Sequence, residues 1–257
     1  MHITGTHDRW FVRPRPQPQA RLRLFCLPYA GGTASTFRTW PTSVSPKIEV
    51  WAIQLPGRET RFYEPRLTRL DELSAILIDV ISPHLNLPYA IFGHSMGALI
   101  GFALARRLRD QGFPQPQHLF ASARRAPQMP RPDPPTYALP EPAFIAELRR
   151  LNGTPEAVLQ HDELRALMLP ILRADFELNE TYTYRPAPPL ACPISAFGGS
   201  ADPTLTRADL DPWREQTNGG FRLHMLAGNH FFLQSAQAEL LHTIGQELAP
   251  VIAGNRQ

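Results

Sequence analysis

The residues best suited to chemistry stand in the run Tyr89-Ala90-Ile91-Phe92-Gly93-His94-Ser95-Met96-Gly97-Ala98-Leu99. A short apolar run ends at Gly93, and an Ala/Leu/Arg segment of helical character follows Ser95, so the serine falls at a strand-to-helix turn. Such a turn is sharp, and its flanking positions must lack side chains where strand and helix approach; Gly93 and Gly97 satisfy this. The helix start directs amides and a partial positive charge toward the serine oxygen, which favours a developing oxyanion. Ser95 is therefore the candidate nucleophile, suited to attack on an acyl carbon.

A serine hydroxyl needs a base to take its proton at neutral pH. In chains with this type of elbow, the α/β-hydrolases, the acid and then the histidine follow the serine. Three histidines come late enough. His224 lies inside an expected strand and His242 inside an expected helix, whereas His230 occupies a loop beyond the last strand, in Ala227-Gly228-Asn229-His230-Phe231-Phe232. His230 is thus the candidate base. The acid is expected after the penultimate strand, where Asp202 sits in Gly198-Gly199-Ser200-Ala201-Asp202-Pro203; Asp209 and Asp211 read instead as helix-start residues before Pro212 and Trp213. The oxyanion hole is expected from the backbone amides of Met96 and Ala30, the latter in the loop Pro28-Tyr29-Ala30-Gly31-Gly32 after an early strand. His94 cannot readily fold back on its neighbour's hydroxyl and reads as a turn or packing residue.

These residues need a frame. Apolar runs at Arg21–Leu27, Ile48–Gln54, Tyr89–Gly93, Gln117–Ala123, Cys192–Phe197 and Phe221–Leu226 read as buried strands, separated by helical periods at Leu70–Leu85 and after Ser95 and closed by a helix at Gln234–Val251. Alternation of this kind implies an α/β fold with a mostly parallel sheet flanked by helices. Between 126 and 188 the pattern breaks. Seven prolines fall between Ala126 and Pro142, and helical segments follow at Glu141–Leu151, Pro155–Gln160 and Glu163 to about Tyr182, so this block reads as a helical lid inserted in the core. The expected organisation is an extended, proline-rich tail over 1–20, a core over 21–125 and 189–257, and the lid over 126–188.

Composition narrows the class. The 257 residues suffice for a sizeable core, and no apolar run is long enough to span a membrane. No signal-type segment opens the chain, so a cytoplasmic protein is expected. Cys26 and Cys192 show no metal or redox spacing and read as small buried hydrophobes; no cofactor is implied. The net charge of +3 argues against nucleic acid, and a monomer is expected. Lys47 is the only lysine, all other basic residues being arginine. That suits an acidic or phosphorylated partner, and equally a compositional bias that also enriches proline and alanine.

The motifs together resemble the type II thioesterases of polyketide and nonribosomal peptide synthesis. Leu24-Phe25-Cys26-Leu27-Pro28-Tyr29-Ala30-Gly31-Gly32 resembles that family's opening strand and oxyanion loop, Leu55-Pro56-Gly57-Arg58-Glu59 its second signature, and Phe92-Gly93-His94-Ser95-Met96-Gly97-Ala98 its elbow. Leu169-Pro170-Ile171-Leu172-Arg173-Ala174-Asp175 resembles its lid helix and Gly228-Asn229-His230-Phe231-Phe232 its histidine loop. The resemblance runs from about Leu22 to Leu248. It departs at Leu27, where the family often has phenylalanine, and in the proline-dense stretch 130–142, which bears on substrate preference. It implies hydrolysis of acyl thioesters from the phosphopantetheine arm of acyl or peptidyl carrier proteins, through Ser95, His230, Asp202 and an acyl-enzyme. Arg58 and Glu59 either pair with other side chains or touch substrate. The rival readings are a carboxylesterase or lipase, an acyltransferase on the same fold, and a non-catalytic subunit that docks on a synthase.

Overall fold

A computed structural model describes residues 8–254. Its centre is a seven-stranded sheet in the order β1-β3-β2-β4-β5-β6-β7, formed by Phe11–Val12 (β1), Leu22–Leu27 (β2), Ile48–Ile53 (β3), Tyr89–His94 (β4), Leu119–Ser122 (β5), Ile194–Gly199 (β6) and Phe221–Leu226 (β7). All neighbours pair in parallel except β1, which runs antiparallel along β3. The fold is the expected α/β class. Within the stretch expected as an extended tail, Phe11–Val12 form this edge strand and Trp10 is buried; residues 1–7 of that stretch lie outside the described residues.

Side chains alternate across the sheet. Leu22, Leu24 and Cys26 of β2 join one apolar cluster and Phe25 and Leu27 the other. Helices Leu70–Ile81 (α1) and Met96–Asp110 (α2) cover the Phe25 face, while Gln237–Ala253 (α8) covers the opposite face against Phe37, Trp40 and Phe92. Burial on both faces explains why the strands read as continuous apolar runs rather than alternating ones.

The chain leaves β5 and returns to its neighbour β6 through three helices, Glu141–Leu151 (α3), Glu156–Gln160 (α4) and Asp162–Glu180 (α5). They hold a small apolar cluster of their own, centred on Phe144, Leu148, Leu159, Leu169 and Leu172. Short helices Arg207–Leu210 (α6) and Phe232–Ser235 (α7) follow β6 and β7. The expected closing helix from Gln234 is thus two helices, because Ala236 leaves helical geometry at φ −114°, ψ 28°.

The order of the strands dictates where a site can form. From β2 the chain moves outward to β3 and then crosses back to β4 on the other side of β2, so the connections after β2 and β4 diverge and leave a crevice at their carboxyl ends. The paired ends Leu27 and Gly93 bring the loop after β2 beside the turn after β4. Among the described residues no helix is long and apolar enough to cross a membrane, and no group of three or more His, Cys, Asp or Glu side chains converges as a metal site.

Candidate active site

Ser95 links β4 to α2 with φ 55° and ψ −113°, a strained conformation for a residue with a side chain. Two glycines make the turn possible. A Cβ on Gly93 would lie 2.1 Å from the Gly97 carbonyl oxygen, and one on Gly97 would lie 2.1 Å from the carbonyl oxygen of Leu27. The first keeps strand and helix in contact; the second lets α2 press against the end of β2. The Ser95 amide donates to Ser122 O at 2.7 Å, which ties the turn to β5.

His230 and Asp202 meet from the loops after β7 and β6. The imidazole Nδ1 stands 2.7 Å from Asp202 Oδ2, with the carboxylate side chain fully buried and the imidazole one-fifth exposed. Asp202 Oδ1 accepts from both the amide and the hydroxyl of Thr204, each at 2.8 Å. Burial opposes the charge on Asp202, but the bond to His230 and the two from Thr204 outweigh it and hold the carboxyl below its ordinary value of 3.8. The two loops are packed at Gly199, where a Cβ would lie 2.3 Å from Asn229 O. Asp209, by contrast, closes a capping box with Thr206 at the start of α6 and pairs with Arg125. His224 is stacked on Phe197 within β7, and His242 bonds Gln246 on α8.

Ser95, His230 and Ala30 line one cavity of about 200 Å³, together with Tyr29, Leu148 and Phe176. The Ser95 hydroxyl and His230 share it without a hydrogen bond between them. The Ala30 and Met96 amides have no acceptor among the described residues. Four arginines also border this cavity. Arg125, Arg131 and Arg150 pair with Asp209, Glu180 and Glu147, whereas Arg124 donates to the neutral Asn179 Oδ1 at 2.6 Å, and burial lowers its pKa to about 10.

Two contributions were not evident from spacing. His94 is fully buried, with Nε2 2.9 Å from the His230 carbonyl oxygen and Nδ1 2.9 Å from Ser122 Oγ. Burial and the neighbouring His230 lower its pKa to about 3, so the ring is neutral. Since a carbonyl can only accept, Nε2 carries the proton and Nδ1 accepts from the Ser122 hydroxyl. His94 thereby clasps the backbone of the loop that presents His230. The signal was a histidine ending an otherwise apolar strand. Arg58, in turn, pairs with Asp175 of α5 at 2.7 Å, both side chains almost fully buried. That resolves the open choice for Arg58; the charges were visible in two motifs more than a hundred residues apart, but nothing in their spacing joined them.

The sequence profile of the thioesterase domain family matches residues 22–248. Gramicidin S biosynthesis protein GrsT of Aneurinibacillus migulanus is 47% identical over 246 residues, covering 96% of both chains. The solved structure of the type II thioesterase BorB from the borrelidin biosynthetic cluster is 40% identical, with a TM-score of 0.85 over 94% of this chain and 98% of BorB. RedJ, the thioesterase of the prodiginine pathway of Streptomyces coelicolor, is 39% identical, with a TM-score of 0.83 over 93% of each chain. With its elbow, its topology and a profile match over nearly its whole length, this chain belongs to the thioesterase family, on the α/β-hydrolase fold.

Proposed function

We propose that the chain hydrolyses acyl thioesters carried on the phosphopantetheine arm of acyl or peptidyl carrier proteins, in the service of peptide or polyketide assembly. The observation that carries the reading is the buried Asp202–His230 pair opening on the same cavity as a strained Ser95. His230 Nε2 takes the Ser95 proton as Oγ bonds to the thioester carbonyl carbon. The tetrahedral oxyanion is received by the Ala30 and Met96 amides, each such donor being worth roughly 3 kcal/mol. The C–S bond then breaks, and the proton passes from His230 to the departing thiolate. Water, deprotonated by the same imidazole, attacks the acyl-enzyme; the acid is released and Ser95 regains its proton. Asp202 holds Nδ1 and stabilises the imidazolium. The hydroxyl–imidazole bond absent from the resting geometry is of the kind that tightens once substrate is bound.

On this reading the segment 126–188 is a lid, since Leu148 and Phe176 close the cavity over Ser95. The arginine-rich surface suits an acidic carrier protein. The test compares turnover of an acyl-carrier thioester with that of an oxygen ester of the same acyl group. Thioester preference is expected, together with a loss of at least about 10³-fold in kcat on Ser95→Ala and an unchanged circular dichroism spectrum. Preference for the ester, or activity retained without Ser95, overturns the proposal.

A further inference from the structure

The oxyanion loop is held from outside the sheet. We infer that Asp175, on helix α5 of the insertion, is a positioning residue that sets the Ala30 amide, so that lid and oxyanion hole are one mechanical unit. The inference rests on the thioester hydrolysis proposed above.

Both peptide planes that flank Ala30 are fixed by a hydrogen bond. In a trans peptide the N–H and C=O point opposite ways, so holding one aims the other. The Tyr29 carbonyl accepts from Gly32 N at 2.8 Å, which turns the Ala30 N–H of the same plane the other way. The next plane is held by the Gly31 amide, which donates to Asp175 Oδ2 at 2.7 Å. The same oxygen accepts from Arg58 Nη1 at 2.8 Å and Oδ1 accepts from Arg58 Nη2 at 2.7 Å, while Nη1 also donates to Gly32 O at 3.0 Å. Gln54 completes the frame, accepting from Ala34 N at 2.9 Å and donating to Arg58 O at 3.1 Å.

Sterics act in the same direction. Gly31 has φ +76°, and a Cβ there would lie 2.7 Å from Leu172 Cδ2, one turn before Asp175 on α5. A glycine has many conformations available, and the helix selects one by contact and by a charged acceptor. A buried ion pair is a weak source of stability, since desolvation offsets most of its Coulomb energy. Its placement against two consecutive residues of the loop that carries Ala30 points to positional control. Loss of Asp175 frees the Gly31 plane to rotate, and the Ala30 amide is then held only by the Tyr29–Gly32 bond.

A single substitution would strand a buried Arg58, so the principal variant removes both charges, Arg58→Met with Asp175→Leu. The readouts are steady-state hydrolysis of butyryl-pantetheine, inhibition by a trifluoromethyl ketone analogue that forms the tetrahedral adduct, and inhibition by a non-hydrolysable thioether analogue. The double variant is expected to fold, to lose about 10²-fold in kcat with KM within threefold, and to weaken for the ketone by the same factor while the thioether is held as before. Should the double variant fail to fold, Asp175→Glu, which keeps a charge for Arg58 but carries the carboxylate one methylene away from the Gly31 amide, is expected to lose roughly tenfold in kcat at constant KM. A folded variant that keeps kcat within threefold, or that loses only in KM, overturns the inference. That failure is separable from failure of the hydrolase reading: in the first case the wild type turns over and Ser95→Ala does not, in the second the wild type itself leaves the thioester intact.

Discussion

The sheet and the insertion above it are built on different physics. Ser95 and Asp202 follow strands whose side chains are buried in two large apolar clusters, His230 follows the half-buried edge strand β7, and the turn and loops that carry them are located by backbone approaches too close for a Cβ. The insertion has a five-residue apolar cluster, ion pairs that face solvent, and two leucines, Leu164 and Leu167, left about half exposed on α5. Reacting groups need positions held to a fraction of an ångström, which close-packed elements supply. The ceiling of a cavity must admit substrates, and few buried contacts leave it the freedom to do so. Asp175 and Leu178 of α5 are the exceptions, residues of the soft region buried in the stiff one.

Glycine substitutions break this comparison most sharply. Gly97→Ala sets a methyl 2.1 Å from Leu27 O and 2.7 Å from Pro28 O, backbone atoms that move only if α2 leaves the sheet. Loss of activity by more than about 10³-fold is expected, with a melting temperature lower by many degrees. Gly153→Ala, in the insertion, meets only the outer ring atoms of Phe231, at 2.7 Å. That ring can swing, so the expected cost is under about 1 kcal/mol, with the change confined to KM. Equal damage from both would show that the two regions are equally rigid.

Cavity size gives the next effect. A space of about 200 Å³ is smaller than the roughly 300–1,000 Å³ of ordinary small-molecule sites, and it predicts preference for short acyl groups. Phe176 lines it and packs edge-on against Phe144 at 5.3 Å between ring centroids. Phe176→Ala opens the insertion side alone. It is expected to raise kcat/KM for an octanoyl over a butyryl thioester at least tenfold, since even one methylene newly buried in the opened pocket is worth about 1–3 kcal/mol. An unchanged chain-length profile would place the acyl group elsewhere.

Much of this division could be read from the chain itself. Continuous apolar runs marked the parallel strands because both sheet faces are covered, and the Gly93–Gly97 elbow located Ser95 because no other residue type fits there. Strand ends were less legible. Gly198 and Gly199 read as a loop, yet they continue β6, paired with Met225 and Leu226, because ladder hydrogen bonds outweigh glycine's weak preference. The helices of the insertion followed from periodicity and proline positions to within a few residues. What periodicity does not encode is contact between distant segments: the Asp175–Gly31 bond spans 144 positions and the His94 clasp on His230 spans 136. Such pairs are decided by three-dimensional closure, after the elements exist.

Acid sensitivity should belong to the core. His118 lies between β4 and β5, 2.8 Å from Ser195 Oγ, and burial with the nearby charges of Arg222 and His224 lowers its pKa to about 3; His94 behaves alike. The unfolded chain takes up these protons near pH 6.5, and the native state refuses them until about pH 3, so stability falls as pH drops through that window. Each such histidine contributes a slope of about 1.4 kcal/mol per pH unit. His118→Leu with Ser195→Ala removes one of them. Urea unfolding near pH 5 is expected to show a slope shallower by that amount, and an unchanged slope would mean that His118 is protonated in the folded state.

The smallest effect is expected on the insertion's surface. Arg149 makes three short contacts with Glu156, which look strong, but both side chains are about half exposed. Water screens the pair, and ordering two long side chains costs entropy, so Arg149→Ala should leave the urea midpoint essentially unchanged. Arg58→Ala, losing a similar bidentate bond, strands a buried carboxylate and should cost about 3–5 kcal/mol. The contrast separates geometry from burial: if both substitutions cost the same in urea titrations, the insertion is anchored as much by its surface charges as by the buried Asp175 pair.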